Sequence, residues 1–154
     1  MEKVGILIVS YGSREAAMVD AFSRSGTYKP EMYIADKQKN PFNVERAEEH
    51  VVIPNLDINE ICKFAKRHEK NIDFGIVGPE KPIIDGIRDL IEKETSIQMI
   101  CPTKQYAIEA SKVAQRHLFQ KVAPEANPKF KVFNPKNYSS LTQVKKDVFS
   151  CLDE

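Results

Sequence analysis

Two short stretches of the chain carry the residue types best able to do chemistry. The first is Ser10-Tyr11-Gly12-Ser13-Arg14-Glu15, directly after the apolar run Val4 to Val9. Its physics is that of anion binding. Gly12 lets a backbone approach closely, and the N–H groups of Ser13, Arg14 and Glu15 would open a helix. Such a helix start gathers unpaired donors and about half a positive charge, which suits a phosphate. Arg14 offers a two-pronged guanidinium contact in addition. The same residues also fit a plain strand-to-helix turn with a solvated arginine, since Ser10 and Ser13 stand where a full dinucleotide fingerprint has glycine. The second stretch is Gly78-Pro79-Glu80-Lys81-Pro82. Its prolines fix the backbone, Pro82 suits the first turn of a helix, and Glu80 is presented rigidly. Glu80 can accept hydrogen bonds from sugar hydroxyls or an amine, or it can simply complement the helix dipole.

Other chemistries find little support. His50, His68 and His117 are isolated in the sequence and read as surface or edge residues. Lys63 to His68 reads as the solvated face of an amphipathic helix, and Lys145-Lys146 likewise. Cys62, Cys101 and Cys151 are three widely spaced cysteines, which argues for a reducing, cytoplasmic setting without disulfides or a cysteine zinc site. Cys101 reads as a small buried filler. No Walker loop, His-Glu-x-x-His or Gly-x-Ser-x-Gly pattern occurs, so neither a catalytic residue nor a metal ligand is assigned. Lys and Arg number 23 against 22 Asp and Glu, a net charge of +1, so no global field attracts nucleic acid or an anionic membrane. No apolar run approaches the roughly 20 residues of a membrane span, and Met1-Glu2-Lys3 with the short run behind it is too brief for a signal peptide. With 42% hydrophobic and 29% charged residues, the composition is that of a globular domain.

The elements that must position the two loops follow from patterning. Val4 to Val9 is unalternated and β-branched, as in a strand covered on both faces. Ala17, Met18, Ala21 and Phe22 have helical spacing, with Gly26 placed to end that helix. Met32 to Ala35, His50 to Ile53, Asn71 to Val77 and Ile97 to Ile100 read as four more strands. Asp57 with Glu60 forms a capping-box pattern before Ile61, Phe64 and Ala65. Helices are expected over 82–94 and from about Lys104 to Gln120. Alternating strands and helices predict a parallel α/β sheet, whose ligands bind beyond the carboxyl ends of the strands, where strand order reverses. Pro124 to Pro128 reads as a turn or linker, Phe130 to Phe133 as strand-like and Ser139 to Leu152 as helical. About 30 residues past that linker are too few for an independent core.

Three stretches resemble the N-terminal part of the phosphoribosylamine–glycine ligase (glycinamide ribonucleotide synthetase) family, in the ATP-grasp superfamily. Gly12-Ser13-Arg14-Glu15 is similar to the family's Gly-Gly-Arg-Glu-His. Ile76-Val77-Gly78-Pro79-Glu80-Lys81-Pro82-Ile83, with Gly86 in register, is similar to Val-Val-Gly-Pro-Glu-x-Pro-Leu. Pro102-Thr103-Lys104 with Glu109-Ala110-Ser111-Lys112 resembles Gly-Pro-Thr-Lys and the Glu-x-Ser-Lys beyond it, and Asn40-Pro41 the Asn-Pro after strand two. The likeness is collinear over roughly residues 3 to 134. The chain departs from the pattern where Ala16 replaces the family's His, where Cys101 replaces glycine, and at Tyr11 and Ser13 in the less glycine-rich first loop.

The resemblance implies a Rossmann-like, pre-ATP-grasp domain over 1–104, followed over 105–154 by a connecting helix and the incomplete start of an ATP-grasp domain. It implies a ligase of purine biosynthesis joining glycine to 5-phosphoribosylamine, with ATP and magnesium as the family's cofactors, neither held tightly by this chain. Gly12, Ser13, Arg14 and Glu15 would meet the phosphate, while Gly78, Pro79 and Glu80 would face the ribose or its amine. The Lys-bearing strand, the Gly-rich loop over ATP and the acidic magnesium ligands are not in the sequence, so the chain alone is expected to lack ligase activity, as a truncated or naturally short homologue. The expected partners are a phosphoribosyl small molecule and either the missing ATP-grasp portion or a second copy of the chain. A stand-alone phosphoribosyl-binding module, or a regulatory or partner subunit, without catalysis is the alternative. Other ATP-grasp relatives and nicotinamide-dependent dehydrogenases fit less well, the first for the Gly-Pro-Glu segment and the second for the incomplete fingerprint. Residues 130–152 should expose apolar surface and be mobile, swapped or buried against a second copy. Light scattering should then show self-association, and a compact, concentration-independent monomer with an ordered C-terminus would count against it.

Overall fold

The computed structural model describes residues 1–152; the last two residues of the expected second segment lie outside it. Strand β1 (Glu2–Ser10) is buried from Gly5 to its end. Its side chains alternate between two apolar clusters, as the two-residue period of a strand requires. Leu7 and Val9 pack with Tyr33 and Ala35 of β2 (Tyr28–Asp36), Ile61 and Phe64 of α3 (Ile58–Arg67) and Ile87 and Ile91 of α5 (Ile87–Glu94). Ile6 and Ile8 pack with Met32 and Ile34 of β2, Val19 of α1 (Ser13–Ser23) and Phe42 of α2 (Pro41–Arg46). A strand apolar on both sides is thus covered on both sides. Each fully buried aliphatic chain here contributes about 1.5–3 kcal/mol.

β3 (Ala47–Val52), β4 (Phe74–Val77) and β5 (Gln98–Ile100) complete a five-stranded, all-parallel sheet in the order β3-β2-β1-β4-β5. The chain builds outward from β1 through β2 and β3, then returns to β4 on the other side of β1. Strand order therefore reverses between β1 and β4, which places the two candidate loops side by side.

Local signals account for most boundaries. Asn40 caps α2 by accepting the Phe42 N–H at 3.1 Å, and Pro41 follows at the first helical position, where no N–H is needed. Asp57 caps α3 by accepting from Asn59 and Glu60 N–H at 2.9 and 3.1 Å, and these donors hold its carboxyl below the ordinary carboxylate range. Only this half of the expected capping box is recorded; Glu60 bonds Lys63.

The single helix expected over 82–94 is two: α4 (Glu80–Asp85) and α5, separated by Gly86. Gly86 adopts φ +98°, and its N–H donates to the carbonyls of Pro82 and Ile83, closing α4. Apolar periodicity runs through the break because Ile83, Ile87 and Ile91 serve the same core. The helix expected from Lys104 begins later, as α6 (Lys112–Val122), capped by the Ser111 hydroxyl on Ala114 N–H at 3.2 Å. Before it come two single 3-10 turns, Lys104–Tyr106 and Ile108–Ala110, the first anchored by Asp89 accepting the Lys104 N–H. Phe130 to Phe133 forms no strand, having no ladder partner among the described residues. The final helix is α7 (Leu141–Leu152).

The chain divides into two compact units, Met1–Ala110 and Ser111–Glu154. None of the described residues of the second unit is buried, and Leu141, Phe149 and Leu152 are largely exposed. Gly86→Ala tests the first unit's geometry. A side chain held at positive φ costs about 1–3 kcal/mol, so the unfolding free energy should fall by that amount, read as a lower urea midpoint with the m-value unchanged.

Candidate functional site

Glu15 joins the two candidate loops. It stands in the first turn of α1, 1% exposed, and its Oε2 accepts the N–H groups of Tyr11 and Gly12 at 3.0 and 2.9 Å. This backward reach is one half of a capping box and fixes the turn leaving β1. The carboxyl lies against Gly78, where an added Cβ would come within 1.9 Å of Oε1. Gly78 is therefore glycine because Glu15 occupies the space of its side chain. The Oε1 atom is buried, accepts no hydrogen bond among the described residues, and faces Arg14 Nε at 3.7 Å. Arg14 extends its Nη2 to Glu80 at 3.4 Å, a solvent-exposed contact that contributes little by itself.

Above this contact, at the carboxyl ends of the strands, lies a cavity of about 280 Å³. Tyr11, Lys37, Leu56, Pro79, Glu80 and Lys81 are among the residues lining it. That size falls just below the usual small-molecule range of about 300–1,000 Å³. Lys37, immediately after β2, places Nζ 4.1 Å from the centre of the Tyr11 ring. Leu56 forms part of the wall in a left-handed conformation, φ +52°, an unusual strain for a branched residue.

Of the residues singled out from sequence, Pro79 and Glu80 line this cavity. Gly12, Ser13, Arg14, Glu15 and Gly78 form the adjoining turn and its support. A Cβ on Gly12 would meet open space, so packing does not require glycine there. The N–H groups of Ser13 and Arg14 have no acceptor among the described residues, as expected for a helix start. Glu15 is turned inward and takes two amides itself.

Lys37, Tyr11 and Leu56 were not among the sequence candidates as a group. Also missed was a buried polar cluster at the ends of the strands. Ser10, Asp36 and Asn43 are almost wholly buried. Asn43 donates to Asp36 Oδ2 at 2.9 Å and Ser10 Oγ at 3.3 Å, and His50 Nε2 lies 2.8 Å from the same Asp36 oxygen. These contacts tie the ends of β1, β2 and β3 together. Asp36 is the last residue of β2, where a dinucleotide-binding fold places its ribose-binding acid, but here it is committed to protein partners. His50 does stand on an edge strand, as its isolation in the sequence suggests, but its side chain is turned in to Asp36, and His68 is not a surface residue either. His68 stacks on Tyr33 with ring centres 4.9 Å apart, whereas His117 remains exposed and meets Phe130 edge-on. Burial pushes the Cys101 thiol up to about 11, leaving it protonated and unreactive at neutral pH.

Other concavities lie elsewhere. One of about 460 Å³ sits at the opposite, amino-terminal end of the strands beside Phe22 and Phe74. Another, of about 770 Å³, belongs to the second unit, near Phe130 and Phe133. The first of these does not adjoin the strand-order reversal.

The domain is an open, parallel α/β sheet with a small cleft at the strand-order reversal, where ligands of such sheets bind. Its family is given by comparison. The model of the phosphoribosylglycinamide synthetase N domain matches residues 4–109, and the chain belongs to that family. The phosphoribosylamine–glycine ligase of Methanocella arvoryzae is 32% identical over 130 residues, covering 84% of this chain and 29% of the relative. That of Methanosphaera stadtmanae is 36% identical over 116 residues, covering 75% and 25% respectively. The chain thus spans less than a third of the length of these relatives. A solved structure named glycinamide-RNase-transformylase T, from Mycobacterium tuberculosis, superposes with a TM-score of 0.56 at 17% identity, covering 92% of this chain and 37% of that one, and shares the fold.

Gly78→Ala tests the contact that joins the loops. The new methyl group must displace Glu15, an overpacking cost of about 1–3 kcal/mol. The amide signals of Tyr11 and Gly12 should move with it; unchanged signals would mean that Glu15 does not hold that turn.

Proposed function

We propose that the first unit is the substrate-binding domain of a phosphoribosylamine–glycine ligase, holding the phosphoribosyl group in the cleft at the carboxyl ends of β1 and β4. The observation that carries this reading is the meeting of the Gly12–Glu15 turn with the Gly78–Glu80 loop across the Glu15–Gly78 contact. Ser13 and Arg14 offer amide donors for the phosphate, and Glu80 offers a carboxylate to ribose hydroxyls or the amine. The reaction served is the condensation of glycine with 5-phosphoribosylamine, with ATP converted to ADP and phosphate, in de novo purine synthesis in the cytoplasm.

ATP and magnesium enter this reading through the family. Among the described residues no three His, Cys, Asp or Glu gather as a metal-holding group. In the same reading the second unit is the start of an ATP-grasp domain, and the first unit works with the remainder of that fold, whether joined to it or supplied by another chain.

Glu80→Ala should weaken binding of glycinamide ribonucleotide about 10- to 150-fold, the worth of a charge-assisted hydrogen bond of about 1.5–3 kcal/mol. Isothermal calorimetry reads the affinity, and an unchanged thermal midpoint shows that the fold is intact. Equal affinity in the two proteins removes Glu80 from the site.

A further inference from the structure

Resting on the phosphoribosyl reading, we infer that Lys37 is the phosphate-binding cation of this cleft, so that the ligand lies with its phosphate toward the end of β2 and its amine toward Glu80. Most donors and positive groups around the cleft are already engaged. The turn after β1 would ordinarily offer its amides to the anion, but the N–H groups of Tyr11 and Gly12 are both taken by the buried Glu15 carboxyl. An incoming phosphate cannot share them without displacing a side chain packed against Gly78. Arg14 is directed toward Glu15 and Glu80. Lys81 lines the cavity but bonds Asp85 one turn further along α4. Lys37 has no carboxylate within ion-pair distance among the described residues, and its Nζ rests over the Tyr11 ring inside the cavity.

The surroundings hold that ammonium in place. The Lys37 N–H donates to the carbonyl of Ser10 at 2.9 Å, and the Ile53 N–H to that of Asp36 at 2.8 Å, so the backbone on which Lys37 stands is tied to both neighbouring strands. Asp36, the residue before Lys37, is itself held by Asn43 and His50. A lysine fixed at its base and supported by an aromatic face loses less freedom on meeting an anion than one in solvent. Tyr11 has a purpose in this arrangement, since its ring positions the cation while its N–H closes the Glu15 cap.

The test compares glycinamide ribonucleotide with its dephosphorylated riboside, each titrated into the wild type, Lys37→Met and Lys37→Arg, with circular dichroism melts as the control for folding. Lys37→Met should weaken the ribonucleotide at least tenfold and leave the riboside unchanged, and Lys37→Arg should restore most of the loss. Equal ribonucleotide affinity in wild type and Lys37→Met overturns the inference while leaving the phosphoribosyl reading standing. An equal loss for ribonucleotide and riboside also overturns it, placing Lys37 on the sugar or in the fold. If the wild type binds neither ligand, the phosphoribosyl reading fails and takes this inference with it.

Discussion

A carboxyl group buried at the start of a helix controls the geometry of this site. Glu15 reaches back to two amides of the turn that precedes it and presses on a bare glycine at the end of the neighbouring strand. Those contacts set the distance between the loops that follow β1 and β4, and hence the width of the cleft between them. Burial makes the arrangement demanding, since a polar side chain withdrawn from water must find donors or destabilise the fold. Two backbone N–H groups supply them for one oxygen. The other oxygen is left facing Arg14, the residue that spans toward Glu80.

The same constraint explains why the donors are distributed as they are. A glycine-rich phosphate loop presents several amides to its ligand, whereas here two of those amides serve the protein. Positive charge at the cleft is carried by Lys37 after β2, while Arg14 on α1 is directed toward Glu15 and Glu80. Asp36 binds Asn43 and His50 rather than facing solvent. A dinucleotide's ribose would need that carboxylate, so the cluster argues against a dinucleotide here.

Much of this was legible in the sequence because the relevant signals are local. The unbroken apolar run of β1 announces a strand buried on both faces, and the turn residues at 10–15 and 78–82 announce loops at its carboxyl end. What was not legible depends on contacts distant in the chain. Gly86 breaks a helix whose apolar spacing continues across it, so periodicity alone joins the two halves. Ser111 caps α6 only after two 3-10 turns have used up residues that also have helical spacing. Asp36, Asn43 and His50 are separated by a short helix and an edge strand, and nothing in their individual spacing shows that they meet. One signal was present: Asp36 ends the apolar strand Tyr33-Ile34-Ala35, and an acid at the end of a strand covered on both faces needs a partner.

On the proposed reading, the cleft beside the Glu15–Gly78 contact is where the chain meets its ligand. Backbone amide NMR of the chain titrated with glycinamide ribonucleotide tests that claim most directly. The predicted result is a set of saturable shifts concentrated at Ser13, Arg14, Lys37 and residues 78–80, with the opposite end of the sheet around Phe22 and Phe74 unmoved. Shifts confined to that opposite end, or none anywhere at millimolar ligand, would contradict it.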